Sequence, residues 1–157
     1  MADDIATLRR ILRTSRTIAV VGLSAEWHRP SFFAAKYMQE HGYRVVPVNP
    51  RYAEILGERC HATLATIDVP IDIVDVFRRT EDVMPIAEQA IVIQAKCLWQ
   101  QIGVKNEAAA ALAARAGLEV VMDRCVKIEH ARLFGGLNWA GVDTKVISAR
   151  RPQQLFY

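Results

Sequence analysis

The chain has 157 residues, a length for one globular domain, and 52% hydrophobic residues to fill its core. A formal net charge of +3 admits an anionic ligand but does not argue for wholesale nucleic-acid binding, whose mark is a concentrated basic stripe; here only Arg9-Arg10, Arg78-Arg79 and Arg150-Arg151 stand side by side. No stretch approaches the length of a membrane span. The three cysteines, Cys60, Cys97 and Cys125, form no CxxC pair and are odd in number, which argues against a disulfide framework and for the cytoplasm.

Ile5, Leu8, Ile11 and Leu12 share one helical face, with Asp3 and Asp4 where the helix dipole favours acids, so a helix is predicted over 3–14. This opening stretch has no apolar core of signal-peptide length. "TIAVVGL" reads as a buried strand ending at Gly22. A helix over 32–41 follows, with Ser31 as its cap and Gly42 as its stop. "YRVVPVNP" is a second strand, broken by Pro47 and Pro50, and "EILGERCHATLATIDVP" is irregular with a short helical turn. "IDIVDVF" is a third strand, after which Thr80 caps a helix whose first turn carries Glu81 and Asp82. "AKCLWQ" is a fourth strand. Asn106 caps the alanine-rich "EAAAALAARA", with Gly117 just past its end. "LEVVMD" is a fifth strand, and a last helix spans 124–134, stopped by Gly135-Gly136. Residues 1–157 thus read as one domain, with a core over 15–134 and a tail over 135–157 that wraps the domain or reaches a neighbour.

Strands that alternate with helices and are apolar on both faces predict an α/β fold: a Rossmann-like, doubly wound parallel sheet of about five strands with helices on both faces. Such sheets bind ligands at the carboxyl ends of their strands, so the informative residues follow each strand. After the first come Gly22, Ser24, Arg29, Pro30 and Ser31: a helix start, a cation and two hydroxyls that suit a phosphate, or equally a capped loop with a surface arginine. After the second come Asn49, Pro50 and Arg51. An NAD site wants an acid there, whereas an arginine accommodates an extra phosphate on the adenosine ribose, as in NADP or coenzyme A. The bland alternative is a turn shaped by Pro47 and Pro50. Phe77, Arg78 and Arg79 follow the third strand, and Trp99, Gln101, Gly103 and Asn106 the fourth. Asp123 and Arg124, after the fifth, pair with each other or with neighbouring loops.

"VVGLS", "RPS", "PVNP", "EILGE", "DIVDVFRR", "LWQQIGVKNEAA", "GLEVVMDRC" and "KIEH", in this order and spacing, resemble the small stand-alone CoA-binding proteins. Their fold is similar to the nucleotide-binding domain of the succinyl-CoA synthetase α subunit. The likeness runs over about 18–133. It implies coenzyme A as the cofactor. Gly22, Ser24, Arg29, Pro30 and Ser31 would then face the phosphates. Asn49, Pro50 and Arg51 would sit near the ribose and its 3′-phosphate. Phe77 and Arg78 would line the cleft, and Trp99 and Gln101 would lie toward the pantetheine. Two departures stand out. Gln94 occupies a place where glycine is usual, and Trp27-His28 replaces a common asparagine–proline pair in the first loop, where Trp27 covers a ligand or crowds it.

No catalytic set emerges. The synthetases carry their phosphorylated histidine in a second domain, for which this chain has no room. His130 and Glu129 are adjacent and face different sides of a helix. Cys60-His61 lacks the second pair a zinc site needs, and Asp72 and Asp75 point to opposite faces of a strand. Cys125, near Arg124 and Lys127 at a helix start, is either a core residue or a thiol placed for a mixed disulfide with coenzyme A. Three functions remain open: a non-catalytic binder of coenzyme A or acyl-CoA acting as carrier, sensor or subunit; an NADP-dependent oxidoreductase or a CoA-transfer enzyme working with a partner; and an interaction protein with a vestigial cleft. The expected partner is a small molecule, with no nucleic acid and no membrane. No metal is expected, and a homodimer is the default oligomer.

Overall fold

A computed structural model describes residues 3–135. The tail expected to wrap the domain or reach a neighbour lies, beyond Gly135, outside the described residues. Five helices alternate with a parallel sheet: α1 (Ile5–Thr14), β1 (Thr17–Val21), α2 (Pro30–Glu40), β2 (Arg44–Val48), β3 (Glu54–Ile55), β4 (Glu58–Arg59), β5 (Ile73–Val76), α3 (Val83–Val92), β6 (Cys97–Gln100), α4 (Glu107–Arg115), β7 (Glu119–Val121) and α5 (Val126–Phe134). The five-stranded sheet runs β2-β1-β5-β6-β7, every pairing parallel. This is the expected doubly wound α/β architecture. β3 and β4 form a separate antiparallel hairpin within the stretch read as irregular.

Strand alternation divides the core in two. Ile18, Val20, Val45, Ile73, Cys97, Trp99 and Val121 pack with Leu8, Ile11 and Leu12 of α1, Met38 of α2 and Val126 and Leu133 of α5. Ala19, Val21, Val46, Val74, Val76, Leu98 and Val120 pack with Val83, Ala87 and Ala90 of α3 and Ala109, Ala110 and Ala113 of α4. Small residues on α3 and α4 let these helices lie close to the sheet. On α1, each of Leu8, Ile11 and Leu12 is buried, worth about 1.5–3 kcal/mol apiece relative to exposure. Asp4 caps α1 by accepting from the Thr7 N–H at 2.7 Å. Asp3 instead pairs with Arg124, 2.6 Å away. No helix among the described residues is long and apolar enough to cross a membrane.

Several local expectations change. Pro47 does not break the second strand but sits within β2, at the sheet edge, where a missing N–H is tolerated. Ser31 does not cap α2; Arg29 holds the N-cap position and Pro30 the first helical turn, the place proline's fixed φ suits best. Thr80 opens a 3₁₀ turn, Thr80–Asp82, ahead of α3. Its hydroxyl oxygen instead accepts from the Lys105 N–H at 3.1 Å, tying two cleft loops together. Asn106 caps α4 as expected, accepting from the Ala109 N–H at 2.9 Å.

Gln94, the departure from glycine, has φ +59°. It closes α3 in a Schellman arrangement: the Gln94 N–H bonds the Ile91 carbonyl and the Ala95 N–H the Ala90 carbonyl, both at 3.0 Å. A side chain at such a left-handed position costs about 1–2 kcal/mol. Gln94→Gly is therefore expected to stabilise the protein by about 1 kcal/mol after glycine's greater unfolded entropy is set against the relief. Urea unfolding measures this; an unchanged or lower midpoint contradicts it.

Candidate functional site

The carboxyl ends of all five parallel strands open on one side of the sheet, and a cleft of about 870 Å³ lies there. That volume is at the upper end of the roughly 300–1,000 Å³ usual for small-molecule sites. Its walls include Gly22, Ser24, Arg29, Pro30, Ser31, Asn49, Arg51, Phe77, Arg78 and Gln101. Residues scattered over 80 positions of the chain are thus brought together. Pro50 lies instead on a smaller neighbouring pocket of about 260 Å³ that shares Gly22 and Arg78. Trp99 does not reach the cleft. It is fully buried within β6, and its indole N–H donates to the Arg124 carbonyl at 2.8 Å, so it supports the wall from beneath.

The polar residues divide into scaffold and surface. Ser31 Oγ accepts from the Ser24 N–H at 3.0 Å, and Ser24 Oγ from the Glu26 N–H at 3.0 Å, which fixes the loop between β1 and α2. Asn49 is 9% exposed. It donates from Nδ2 to the Leu23 carbonyl at 3.0 Å and accepts at Oδ1 from the Arg51 N–H at 2.9 Å. One amide thus joins the loops after β1 and β2 and aims the backbone of Arg51. Gln101 Oε1 accepts from the Val126 N–H at 3.0 Å and holds the start of α5. On the fifth-strand side, Asp123 Oδ1 accepts from the Gly103 N–H at 2.8 Å, and Arg124 pairs with Asp3 and Glu129. Both residues pair with neighbouring elements, and not with each other.

The cations are the exposed part. Arg29 lies 3.8 Å from Glu26, and Arg78 and Arg79 lie 3.6 and 3.0 Å from Asp82. The Arg79 hydrogen bond holds the Asp82 carboxyl below the usual carboxylate range. Arg51 has no ion pair among the described residues. Four arginines against two carboxylates leave the wall positive, a setting for an anion.

Arg79, Tyr52, Phe33, Ile102, Val104, Cys125, Lys127 and Ile128 also line the wall. Of these, Arg79 and Cys125 stood out in the sequence, and Lys127 only as a cation beside that thiol. The available signal for Lys127 and Ile128 was positional: the first turn of a helix that follows a parallel strand stands at the ligand end of the sheet. Cys125 is half-buried and free at the N-cap of α5, with no cap hydrogen bond from its side chain. Cys97 is the core cysteine, its thiol pushed far up by burial.

Of the four histidines, His28 lines the cleft, 3.6 Å from Glu26, and the other three lie outside its wall. His130 Nδ1 lies 3.0 Å from Tyr37 Oη, and burial lowers its pKa to about 4. His41 stacks on Tyr37, and His61 Nδ1 lies 2.9 Å from Thr66 Oγ1. No cluster of three metal-ligating side chains occurs among the described residues.

A positive cleft thus lies across the carboxyl ends of a doubly wound parallel sheet, where sheets of this class take their ligands. Residues 16–131 match the family model described as "CoA binding domain", and the chain belongs to that family. The uncharacterized protein YneT of Bacillus subtilis (strain 168) is 44% identical over 126 residues, covering 80% of this chain and 93% of the relative. A hypothetical protein of Pyrococcus horikoshii OT3 superposes with a TM-score of 0.83 at 40% identity, covering 85% of this chain and 94% of that one. The cell-free ID.343 protein of Thermus thermophilus gives a TM-score of 0.81 at 36% identity, covering 84% and 100%.

Proposed function

We propose that this protein is a coenzyme A binding module, acting as a carrier, sensor or subunit without catalysis of its own. The observation that carries this reading is Arg51: a cation without an ion pair among the described residues, at the tip of β2, in a member of a CoA-binding domain family. An acid at that position would select a ribose hydroxyl, whereas an arginine takes a ribose phosphate. Arg29 and Arg78, with the start of α2, take the pyrophosphate. Ser31, Asn49 and Gln101 keep the loops in register for it through the hydrogen bonds described above.

The experiment titrates wild type and Arg51→Ala each with coenzyme A, with dephospho-coenzyme A and with NADP. A charged hydrogen bond contributes about 1.5–3 kcal/mol when well sheltered. At this exposed position we expect the low end, so wild type prefers coenzyme A by about tenfold. Arg51→Ala loses that preference and binds coenzyme A and dephospho-coenzyme A alike. A preference that survives the substitution removes Arg51 from the ribose phosphate. Binding of NADP with no binding of coenzyme A moves the assignment to the oxidoreductase reading.

A further inference from the structure

The cleft is chemically lopsided, and strand order is the reason. The loops after β2, β1 and β5 are neighbours in the sheet and bring Arg51, Arg29 and Arg78 to one half. The loops after β6 and β7, with the start of α5, form the other half and bring Ile102, Val104, Cys125 and Ile128. Phe33, from the first turn of α2, adds to this apolar half, since the Lys127 ammonium lies 5.8 Å from its ring centroid. Folding leaves this surface partly open: Ile102 is 60% and Phe33 37% exposed. Lys127, the cation that this half brings to the cleft wall among the described residues, is 5% exposed, and burial lowers its pKa. Both carboxylates of the cleft wall, Glu26 and Asp82, pair with arginines of the basic half.

We propose that the apolar half receives an aliphatic acyl group carried on the ligand's sulfur, so that the protein takes short- to medium-chain thioesters of coenzyme A in preference to free coenzyme A. This rests on the coenzyme A reading above. The phosphates set the ligand's direction by seating on the arginines. The pantetheine arm then runs across the strand ends toward β6 and β7 and delivers the thioester among Phe33, Ile102, Val104 and Ile128. Free coenzyme A would leave a thiol and open apolar wall there. An acyl chain removes that wall from water, and each buried methylene adds about fourfold in affinity.

Calorimetric titration with coenzyme A and its acetyl, butyryl, hexanoyl and succinyl thioesters tests this. Affinity is expected to rise from acetyl through hexanoyl by more than tenfold in all, with succinyl weaker than butyryl because its terminal carboxylate enters an apolar surface. Ile102→Ser, at an exposed loop position where the fold tolerates it, is expected to shrink the ratio of hexanoyl to free coenzyme A affinity. A flat series, succinyl binding tighter than butyryl, or a ratio untouched by Ile102→Ser overturns the proposal. Coenzyme A binding together with a flat series overturns only this inference; no binding by coenzyme A or any thioester overturns the coenzyme A reading as well.

Discussion

Gly22→Ala is expected to destabilise the protein by about 3 kcal/mol and to weaken ligand binding in whatever remains folded. Gly22 ends β1 with φ +88°, a conformation that costs a non-glycine residue about 1–2 kcal/mol. Space is the second term. A Cβ there would overlap the Phe77 carbonyl oxygen and come within 2.9 Å of Arg78 Cδ. The arginine side chain can swing aside. The Phe77 carbonyl cannot, because the Phe77 N–H bonds the Val21 carbonyl at 2.8 Å and anchors the chain leaving β5 to β1. Forcing such a contact adds about 1–3 kcal/mol. In a chain of this size the total lowers Tm by on the order of 10 °C.

Gly57→Ala provides the comparison. Gly57 has φ +76° with nothing within 4 Å of an added Cβ, so only the conformational cost of about 1–2 kcal/mol applies. Circular dichroism melts of the two variants separate the terms, and coenzyme A titration well below Tm separates stability from the site. Gly22→Ala displaces Phe77 and Arg78, both in the cleft wall, so its affinity falls, while Gly57, in the β3–β4 hairpin and not part of that wall, leaves affinity alone. Equal effects of the two on Tm and on affinity contradict this account. Gly22 thus serves the close approach of two strand ends.

The same contrast explains what could be read from the sequence. The five long strands were legible because both faces are apolar, as a sheet sandwiched between helices requires. The β3–β4 hairpin was not. Its strands are two residues each, and its turn places Leu56 and Gly57 at φ +54° and +76°. An Asn-Gly pair would have announced such a turn, but leucine carries no such signal. Among the site residues, those just beyond a strand reached the cleft, as the fold class dictates, except Pro50, which faces the neighbouring pocket. Trp99 failed because it lies inside a strand, on the face it shares with Cys97, and a residue there packs against helices. Ser31 and Asn49 were found for their chemistry, but their hydrogen bonds go to neighbouring loops. The sequence shows a polar atom; only the fold shows which partner claims it.

Asp75→Asn is expected to stabilise the protein at neutral and alkaline pH, an unusual result for a buried polar position in a central strand. Asp75 is 1% exposed, and its Oδ1 makes no hydrogen bond with any described group. Its neighbours across the sheet are Val20 and Trp99. Burial raises its pKa well above the ordinary 3.8, so the folded protein holds a proton there that the unfolded chain releases. The folded state binds more protons, and stability must fall as pH rises. The contribution is complete below 3.8 and is lost as pH climbs through the raised folded value, at up to about 1.4 kcal/mol per pH unit.

Asparagine keeps the shape and cannot ionise. The stability difference, variant minus wild type, should therefore grow by up to about 1.4 kcal/mol per pH unit through this window and level off above it. Taking the difference cancels the other titrations, including His130, whose pKa of about 4 acts with opposite sign, and Tyr37 and Tyr43, pushed up to about 12. Saturating coenzyme A raises both curves at every pH through mass action. It leaves the slope of their difference in place if the carboxyl stays sealed from the ligand. Denaturant unfolding from pH 4 to pH 9 measures all of this. A flat difference means that Asp75 is ionised in the folded protein at no cost. A slope that vanishes only with ligand bound means that the cleft reaches down to the carboxyl, two residues beneath Phe77.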